Sequence, residues 1–363
     1  MRVLHLGKYY PPVPGGIETH VKEVCEGLAK LNFEVACLVS SSSYKTCFER
    51  VNGVDLIRFG KLFKNAPPVN LSLLPYLRRS VRNFDIVHLH MPNPCAEVSC
   101  LLAKPKKLVV SYHADIVNKF GAGLYLPIQK KVLRMADRII VTSMRYASSS
   151  PVLRKFLHKC VVIPYGISLS NFKTANKRQV DELRRLGSPI FLFVGRLVEY
   201  KGIEYLVKAM RSVNGILLLV GTGPLLKRFI TLVNKLDLKE RVYFFTDVSN
   251  YELPNFYHAA DVLVLPSVNR AEAFGIVQLE AMACGRPLIS TRLGTSVDVV
   301  NQHGKTGFLV PPADVDALAE SMTLLGKNRH LCSGLGRAGK QIFGKHFTSK
   351  LMLDRIVAVY QGL

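Results

Sequence analysis

The sequence predicts an α/β protein made of two doubly wound parallel-sheet domains in tandem, and three observations predict it. At 363 residues the chain exceeds one ordinary core and suits two domains of roughly 150–200 residues. Short apolar segments of strand length alternate with amphipathic segments of helix length, the pattern of a parallel sheet covered on both faces. The series breaks at a loop-like stretch, Ser168–Asn176, and then starts again. The expected divisions are 1–167, 168–345 and a terminal segment 346–363.

Element by element, the first half opens with a strand at Val3–Gly7, a Pro/Gly loop, a helix over Thr19–Lys30 and a strand at Glu34–Val39. Further strands follow at Ile86–His90, Leu108–Tyr112 and Arg138–Thr142. The second half has strands at Ile190–Val194, Ile216–Val220, Val242–Phe245, Val262–Leu265 and Pro287–Ser290, with helices over Ile203–Val213 and Leu225–Leu236 between them. Each half therefore reads as a Rossmann-like domain, whose ligands sit beyond the carboxyl ends of the strands, near helix N-termini.

Composition narrows the class. The chain is 48% hydrophobic and 21% charged, which describes a packed protein and not a disordered one. Its apolar runs, such as Ile216–Val220, fall far short of the roughly 20 residues that span a bilayer. The start, Met1–Gly7, is a short strand without the longer apolar core of a secretory leader. Eight scattered cysteines with no CxxC pair read as reduced thiols, so the expected home is the cytoplasm.

Charge is uneven as well as high. The formal net charge is +23, and residues 1–163 hold 24 Lys/Arg against 10 Asp/Glu. Between Arg58 and Arg82 the cations Arg58, Lys61, Lys64, Arg78, Arg79 and Arg82 alternate with Leu62, Phe63, Leu71, Leu73, Leu74, Tyr76 and Leu77. Such a surface suits the anionic headgroups of a cytoplasmic leaflet, and peripheral membrane association is expected. No nucleic-acid-binding motif accompanies the charge, so nucleic acid is not an expected partner.

Four segments carry chemistry. The loop after the first strand ends in Gly15-Gly16 just before a helix, where backbone N–H groups could approach a phosphate, although tight-turn glycines look the same. Arg196 and Lys201 flank a glycine-bounded loop, Gly195–Gly202, placed to clamp a diphosphate from two sides. Gly221 and Gly223, in Gly221–Pro224, repeat the strand-to-glycine turn and could wall a nucleotide pocket. The strongest signal is Glu272-Ala273-Phe274-Gly275-Ile276-Val277-Gln278-Leu279-Glu280, two carboxylates separated by seven residues, with a helix expected to open at Gly275. The pair suits two acceptors for sugar hydroxyls around a phosphate seated on that helix N-terminus. His88 and His90 alternate onto one strand face, but the sequence indicates no third ligand, and no metal site is predicted.

With these motifs and Thr306–Pro312 in order along nearly the whole chain, the sequence resembles the retaining glycosyltransferases of family 4, which have the GT-B fold of two Rossmann-like domains facing across a cleft. Ser111–Val117 and Ser148–Ile167 further resemble bacterial mannosyltransferases of O-antigen and capsule assembly. The resemblance implies that Arg196 and Lys201 bind the donor diphosphate and stabilise the leaving nucleoside diphosphate without a metal. It implies ribose contacts for Glu280, donor-sugar contacts for Glu272, and phosphate approach at Gly15 and Gly16. Backbone N–H groups of Phe274, Gly275 and Ile276 would support sugar and phosphate, and Val248 falls where the family contacts the base. His113 matches the histidine beside the donor sugar, with an orienting role. Leu293-Gly294-Thr295-Ser296 departs from the family in carrying serine for a second glycine. A terminal helix near Leu351–Tyr360 would pack on the first domain.

The expected activity is transfer of a hexose, mannose favoured, from a nucleoside diphosphate sugar, GDP-mannose favoured, to a saccharide or lipid-linked acceptor. No cofactor is expected. A UDP-sugar donor and a non-catalytic sugar-nucleotide-binding assembly subunit are the alternatives, and intact Glu272, Glu280, Arg196, Lys201 and His113 argue against the second.

Overall fold

The computed structural model describes residues 1–13, 15–60, 72–116 and 122–363. They form two compact units, Met1–Gly166 with Ser349–Leu363, and Ile167–Thr348. Lys61, Leu62, Phe63, Lys64 and Leu71 of the basic stretch, Pro14 of the first loop and Val117 lie outside the described residues.

In the first unit the strands are β1 (Arg2–Leu6), β2 (Glu34–Ser40), β3 (Cys47–Val51), β4 (Val54–Phe59), β5 (Ile86–Met91), β6 (Leu108–Tyr112), β7 (Arg138–Val141) and β8 (Cys160–Val162). They form one sheet in the order β3-β4-β2-β1-β5-β6-β7-β8. Every pairing is parallel except β3 on β4. The order reverses between β1 and β5, so the loops after those two strands border the crevice where such sheets bind ligands. The helices are α1 (Gly16–Lys30), α2 (Leu73–Ser80), α3 (Pro94–Ala103), α4 (Ala122–Met135) and α5 (Met144–Ser149).

The β3–β4 hairpin is absent from the sequence expectation. Its turn residues, Asn52 and Gly53, both have positive φ, the Asn-Gly signal of a two-residue hairpin loop. Its outer strand is almost entirely exposed and so carries no apolar alternation to read. The hairpin also corrects the basic patch. Arg58 lies on β4, ion-paired with Glu49 and donating to the carbonyls of Tyr10 and Pro11, so it is not a free surface cation. Leu73 and Leu77 turn into the core and Leu74 and Tyr76 are half-buried, while Arg78, Arg79 and Arg82 are exposed.

The second unit contains α6 (Ser170–Lys173), α7 (Lys177–Arg184), β9 (Ile190–Val194), α8 (Ile203–Ala209), β10 (Ile216–Val220), α9 (Leu226–Lys235), β11 (Val242–Phe245), α10 (Leu253–Ala259), β12 (Val262–Leu265), α11 (Ile276–Ala283), β13 (Leu288–Thr291), α12 (Val297–Val300), β14 (Gly307–Val310), α13 (Val315–Lys327) and α14 (Arg329–His346). Its six strands run β11-β10-β9-β12-β13-β14, all parallel. That is the 3-2-1-4-5-6 order of a dinucleotide-binding sheet, with the switch point between β9 and β12. Phe191, Phe193, Leu217, Leu219, Val262 and Val264 face helices α8, α9 and α13 across one buried layer.

The last helix, α15 (Ser349–Gln361), belongs to the first unit. Met352, Ile356 and Tyr360 join the core that holds Val21, Val24, Cys25 and Leu28 of α1. The two helices approach closely at Gly27, where a Cβ would stand 2.4 Å from Leu353 Cδ1.

Candidate active site

In the second unit, the sequence-singled residues gather at the carboxyl ends of β9, β10 and β12. The loops after β9 and β10 are joined backbone to backbone, Gly195 N–H to Val220 O at 2.9 Å and Leu197 N–H to Thr222 O at 2.9 Å. A Cβ on Gly221, whose φ is +132°, would fall 2.2 Å from Gly195 O, and one on Gly223 would fall 2.5 Å from Leu197 O. These two glycines therefore have a packing reason independent of any nucleotide.

The β9 loop presents Arg196 exposed and Lys201 buried. Lys201 Nζ lies 2.5 Å from Glu272 Oε2, and Ser267 donates to the same oxygen at 2.9 Å. Burial pulls the lysine toward its neutral form, but Glu272 and Tyr200 outweigh it, and its pKa stands above the ordinary lysine value. Lys201 is thus a fixed cation, held by the carboxylate at the start of the second motif. Arg196 forms no ion pair among the described residues.

Helix α11 starts after Gly275, whose φ of +72° a side chain would strain. Phe274 is buried and Ile276 half-buried, while Val248 sits half-buried in the connection from β11 to α10. Glu280, in the second turn of α11, accepts from the Tyr257 hydroxyl. Burial raises its pKa, and the Tyr257 bond opposes that rise. Thr295 and Ser296, in the loop that departs from the family, tie to the first motif. Thr295 Oγ1 donates to Glu272 O at 3.0 Å, and Ser296 N–H donates to Ala273 O at 3.0 Å. Asp298 closes that loop by accepting from the N–H groups of Leu293 and Gly294 at 2.9 and 3.0 Å.

In the first unit, Gly15 caps α1 in an extended conformation and Gly16 opens the helix, exposed. His113 follows β6 and is 3% exposed. Both of its ring nitrogens are engaged, Nδ1 with the Tyr165 hydroxyl at 2.5 Å and Nε2 with His90 Nδ1 at 2.9 Å. The chain continues from His90 Nε2 to His5 Nδ1 at 3.0 Å. His88 bridges the Tyr360 hydroxyl of α15 at 2.6 Å and Ser111 at 2.8 Å. His20 stacks edge-on against His113. Burial pushes His5 and His20 down to about 3 and holds His88, His90 and His113 well below the usual imidazole range, so all five rings are neutral.

This cluster corrects the metal argument from sequence, which found no third ligand for His88 and His90. The fold supplies one on each side, in the triads His5/His88/His90 and His20/His90/His113, with ring nitrogens within 4.8 Å of one another. Neutral imidazoles suit a transition metal. Yet both nitrogens of His88, His90 and His113 already hold hydrogen-bond partners, so a cation would have to displace them.

Sequence reasoning passed over Ser267, Tyr257, Asp298, Tyr165, His5 and His20. Lone hydroxyls and histidines have no local pattern, and each gains meaning only from its partner in space.

Comparison with known proteins follows the same two-part division. Residues 14–171 match the family model Glycosyltransferase Family 4, and residues 175–342 match Glycosyl transferases group 1. The chain is 32% identical to the O-antigen chain mannosyltransferase C of Escherichia coli, over 100% of this chain and 99% of that one. It is also 32% identical to the D-rhamnosyltransferase WbpZ of Pseudomonas aeruginosa, over 96% and 93%. Among solved structures, sucrose-phosphate synthase from Thermosynechococcus elongatus superposes with a TM-score of 0.86 at 24% identity, covering 99% and 98%, a likeness of fold. Full-length relatives at this identity, and two family models in tandem on two parallel-sheet units, make the chain a glycosyltransferase of the group 1 and family 4 lineage, with the GT-B fold.

Proposed function

We propose that this glycosyltransferase moves a manno-configured hexose, with retention, from a nucleoside diphosphate sugar to a lipid-linked or membrane-proximal saccharide in surface polysaccharide synthesis. GDP-mannose is the favoured donor. The observation that carries the reading is the buried Lys201–Glu272 pair beside exposed Arg196, at the carboxyl ends of β9 and β12 where a doubly wound sheet takes its ligand. The relatives named for mannosyl and D-rhamnosyl transfer support the sugar, since D-rhamnose is 6-deoxymannose.

In this reading the glycosidic C–O bond breaks toward the diphosphate, and negative charge grows on the leaving oxygen. Arg196, which has no competing carboxylate, offers a two-pronged fork to that charge. Lys201 retains N–H donors beyond the one aimed at Glu272, because an ammonium has three. These fixed cations stabilise the leaving group without reorganising, which is where electrostatic catalysis gains most. The leaving oxygen then takes the proton from the acceptor hydroxyl as the new bond forms. Glu272 holds Lys201 and accepts from a sugar hydroxyl, and Glu280, presented by Tyr257, accepts from the ribose. The family resemblance gives phosphate and sugar contacts to Gly15 and Gly16 of the first unit and to the N–H groups of Phe274, Gly275 and Ile276 of the second, and the base contact to Val248. His113 orients the sugar once a ligand replaces one of its ring partners. No metal is required, and the enzyme works at the cytoplasmic face of a membrane.

Calorimetry with a panel of nucleoside diphosphate sugars tests the proposal. One donor, GDP-mannose, is expected to bind, with Arg196→Ala and Glu280→Ala each weakening it by about tenfold or more. A folded protein that binds none of the panel, or binds with both variants unaffected, overturns the assignment.

A further inference from the structure

The second unit has another charged cavity, at the opposite end of its sheet from the candidate donor loops. It has a volume of about 420 Å³ and is bordered by Ile190, Asp261 and Pro287, which stand at the amino ends of β9, β12 and β13. Those strands are four or five residues long, so the cavity is roughly 13–17 Å of strand away from the loops that carry Arg196 and Glu272.

Three arginines line it, Arg184, Arg286 and Arg329. Arg184 Nη2 and Arg286 Nη2 both donate to the same acceptor, the carbonyl of His258, each at 3.1 Å. Sharing one oxygen forces the two donor atoms to within about twice that distance. None of the three arginines has an ion-pair partner among the described residues. The one lining acid, Asp261, commits Oδ2 to the Ile190 N–H at 2.7 Å. Arg286 Nε is buried with no partner. Burial and the Arg184 charge both disfavour the protonated guanidinium of Arg286, though it remains a cation.

A structural explanation accounts for part of this. His258 lies in the last turn of α10, and a cation there satisfies a terminal carbonyl and the helix dipole. One arginine suffices for that. The second cation on the same carbonyl, and the donor aimed at nothing, are left over. The N-terminus of α14, an 18-residue helix, adds its partial positive charge to the same wall, with Arg329 and Cys332 of its first turn in the lining.

We propose that this cavity is a second ligand site, which binds a phosphate monoester between Arg184 and Arg286. The guanidinium forks match phosphate oxygens, and Arg286 Nε acquires the acceptor it lacks. The volume exceeds one phosphate and lies in the range of small-molecule sites, with the free Asp261 oxygen placed to accept from hydroxyls of the esterified group. The site is separate from the donor site and does not depend on the glycosyl-transfer reading.

Calorimetry of the full chain at fixed ionic strength tests it, with inorganic phosphate, a hexose 6-phosphate and a nucleoside monophosphate as probes. Saturable binding of at least one probe is expected, weakened tenfold or more in both Arg286→Gln and Arg184→Gln, with nucleoside diphosphate sugar binding unchanged in either. A preference for an ester identifies the hydroxyl-bearing part as read, and equal binding of inorganic phosphate assigns the site to the free anion. If binding survives both substitutions, is matched by chloride, or is displaced by the donor nucleotide, the proposal fails. Arg184 is exposed, so its variant carries the test even if Arg286→Gln fails to fold.

Discussion

Lys201 and Glu272 show what a side chain gains from a partner 71 residues away. Each is singled out in the sequence, the lysine by its glycine-bounded loop and the glutamate by its spacing from Glu280. That they pair with each other was not legible, because sequence spacing carries no information about a contact made by two strand ends meeting at a switch point. Their burial decides the energetics. A buried charge that loses its counterion costs roughly 3–5 kcal/mol, whereas replacing both by apolar groups is often near neutral. Lys201→Met and Glu272→Met singly are therefore expected to lower stability by about that amount, and the double variant to recover most of it. Chemical denaturation of the four proteins checks this. Additive losses would show that the two side chains do not act as a pair. Arg196 differs because it is exposed, and its loss is expected to reach ligand binding without reaching stability.

At the scale of elements, strand register builds the histidine cluster. His88 and His90 share a face of β5 because strand side chains alternate, and this much was legible. The β1–β5 register sets His5 opposite His88, and the β5–β6 register sets Ser111 opposite His90, neither of which any local pattern reveals. A neutral ring in the fold titrates far below the value of about 6.5 it has in an unfolded chain. The unfolded state therefore binds more protons once the pH drops below about 6.5, and the stability that neutral His5 and His20 contribute is lost from there down toward about 3, with His88, His90 and His113 acting in the same direction. Each contributes a slope of about 1.4 kcal/mol per pH unit, so five acting together give about 7. The first unit is expected to unfold cooperatively near pH 5, with His88→Gln and His5→Gln each making the transition shallower. Acid titration followed by circular dichroism decides it, since a transition unchanged by either substitution would place the acid-sensitive groups elsewhere. Glu97 runs the other way. Burial raises it to about 7, so its contribution improves as the solution is acidified through neutrality.

For the whole molecule, most strands and the division into two parallel-sheet domains could be read from the chain, because strand-length apolar runs in a parallel sheet are continuous and hard to mistake. The exposed β3–β4 hairpin could not, and with it went the surface assigned to Arg58. The net charge of +23 still leaves Arg78, Arg79 and Arg82 exposed together at the end of α2. With Leu73 and Leu77 withdrawn into the core, attraction to an anionic bilayer is expected to be electrostatic, at about 1 kcal/mol per cation. Neutralising the three arginines should release the protein from phosphatidylserine vesicles in sedimentation while leaving donor affinity intact. Binding that persists in high salt would instead point to an inserted apolar group. No helix among the described residues is long and apolar enough to cross a membrane. The chain leaves the first unit after Gly166 and re-enters it at Ser349, and just inside the second unit Ile167 bridges to Thr348, with Ile167 N–H on Phe347 O at 3.0 Å. In covalent terms the second unit is an insert within the first, its entry and exit clasped side by side. A ribosome therefore joins every residue of 167–348 to the chain before it adds Tyr360, the residue that closes the histidine cluster of the first unit. The unit made first is completed last.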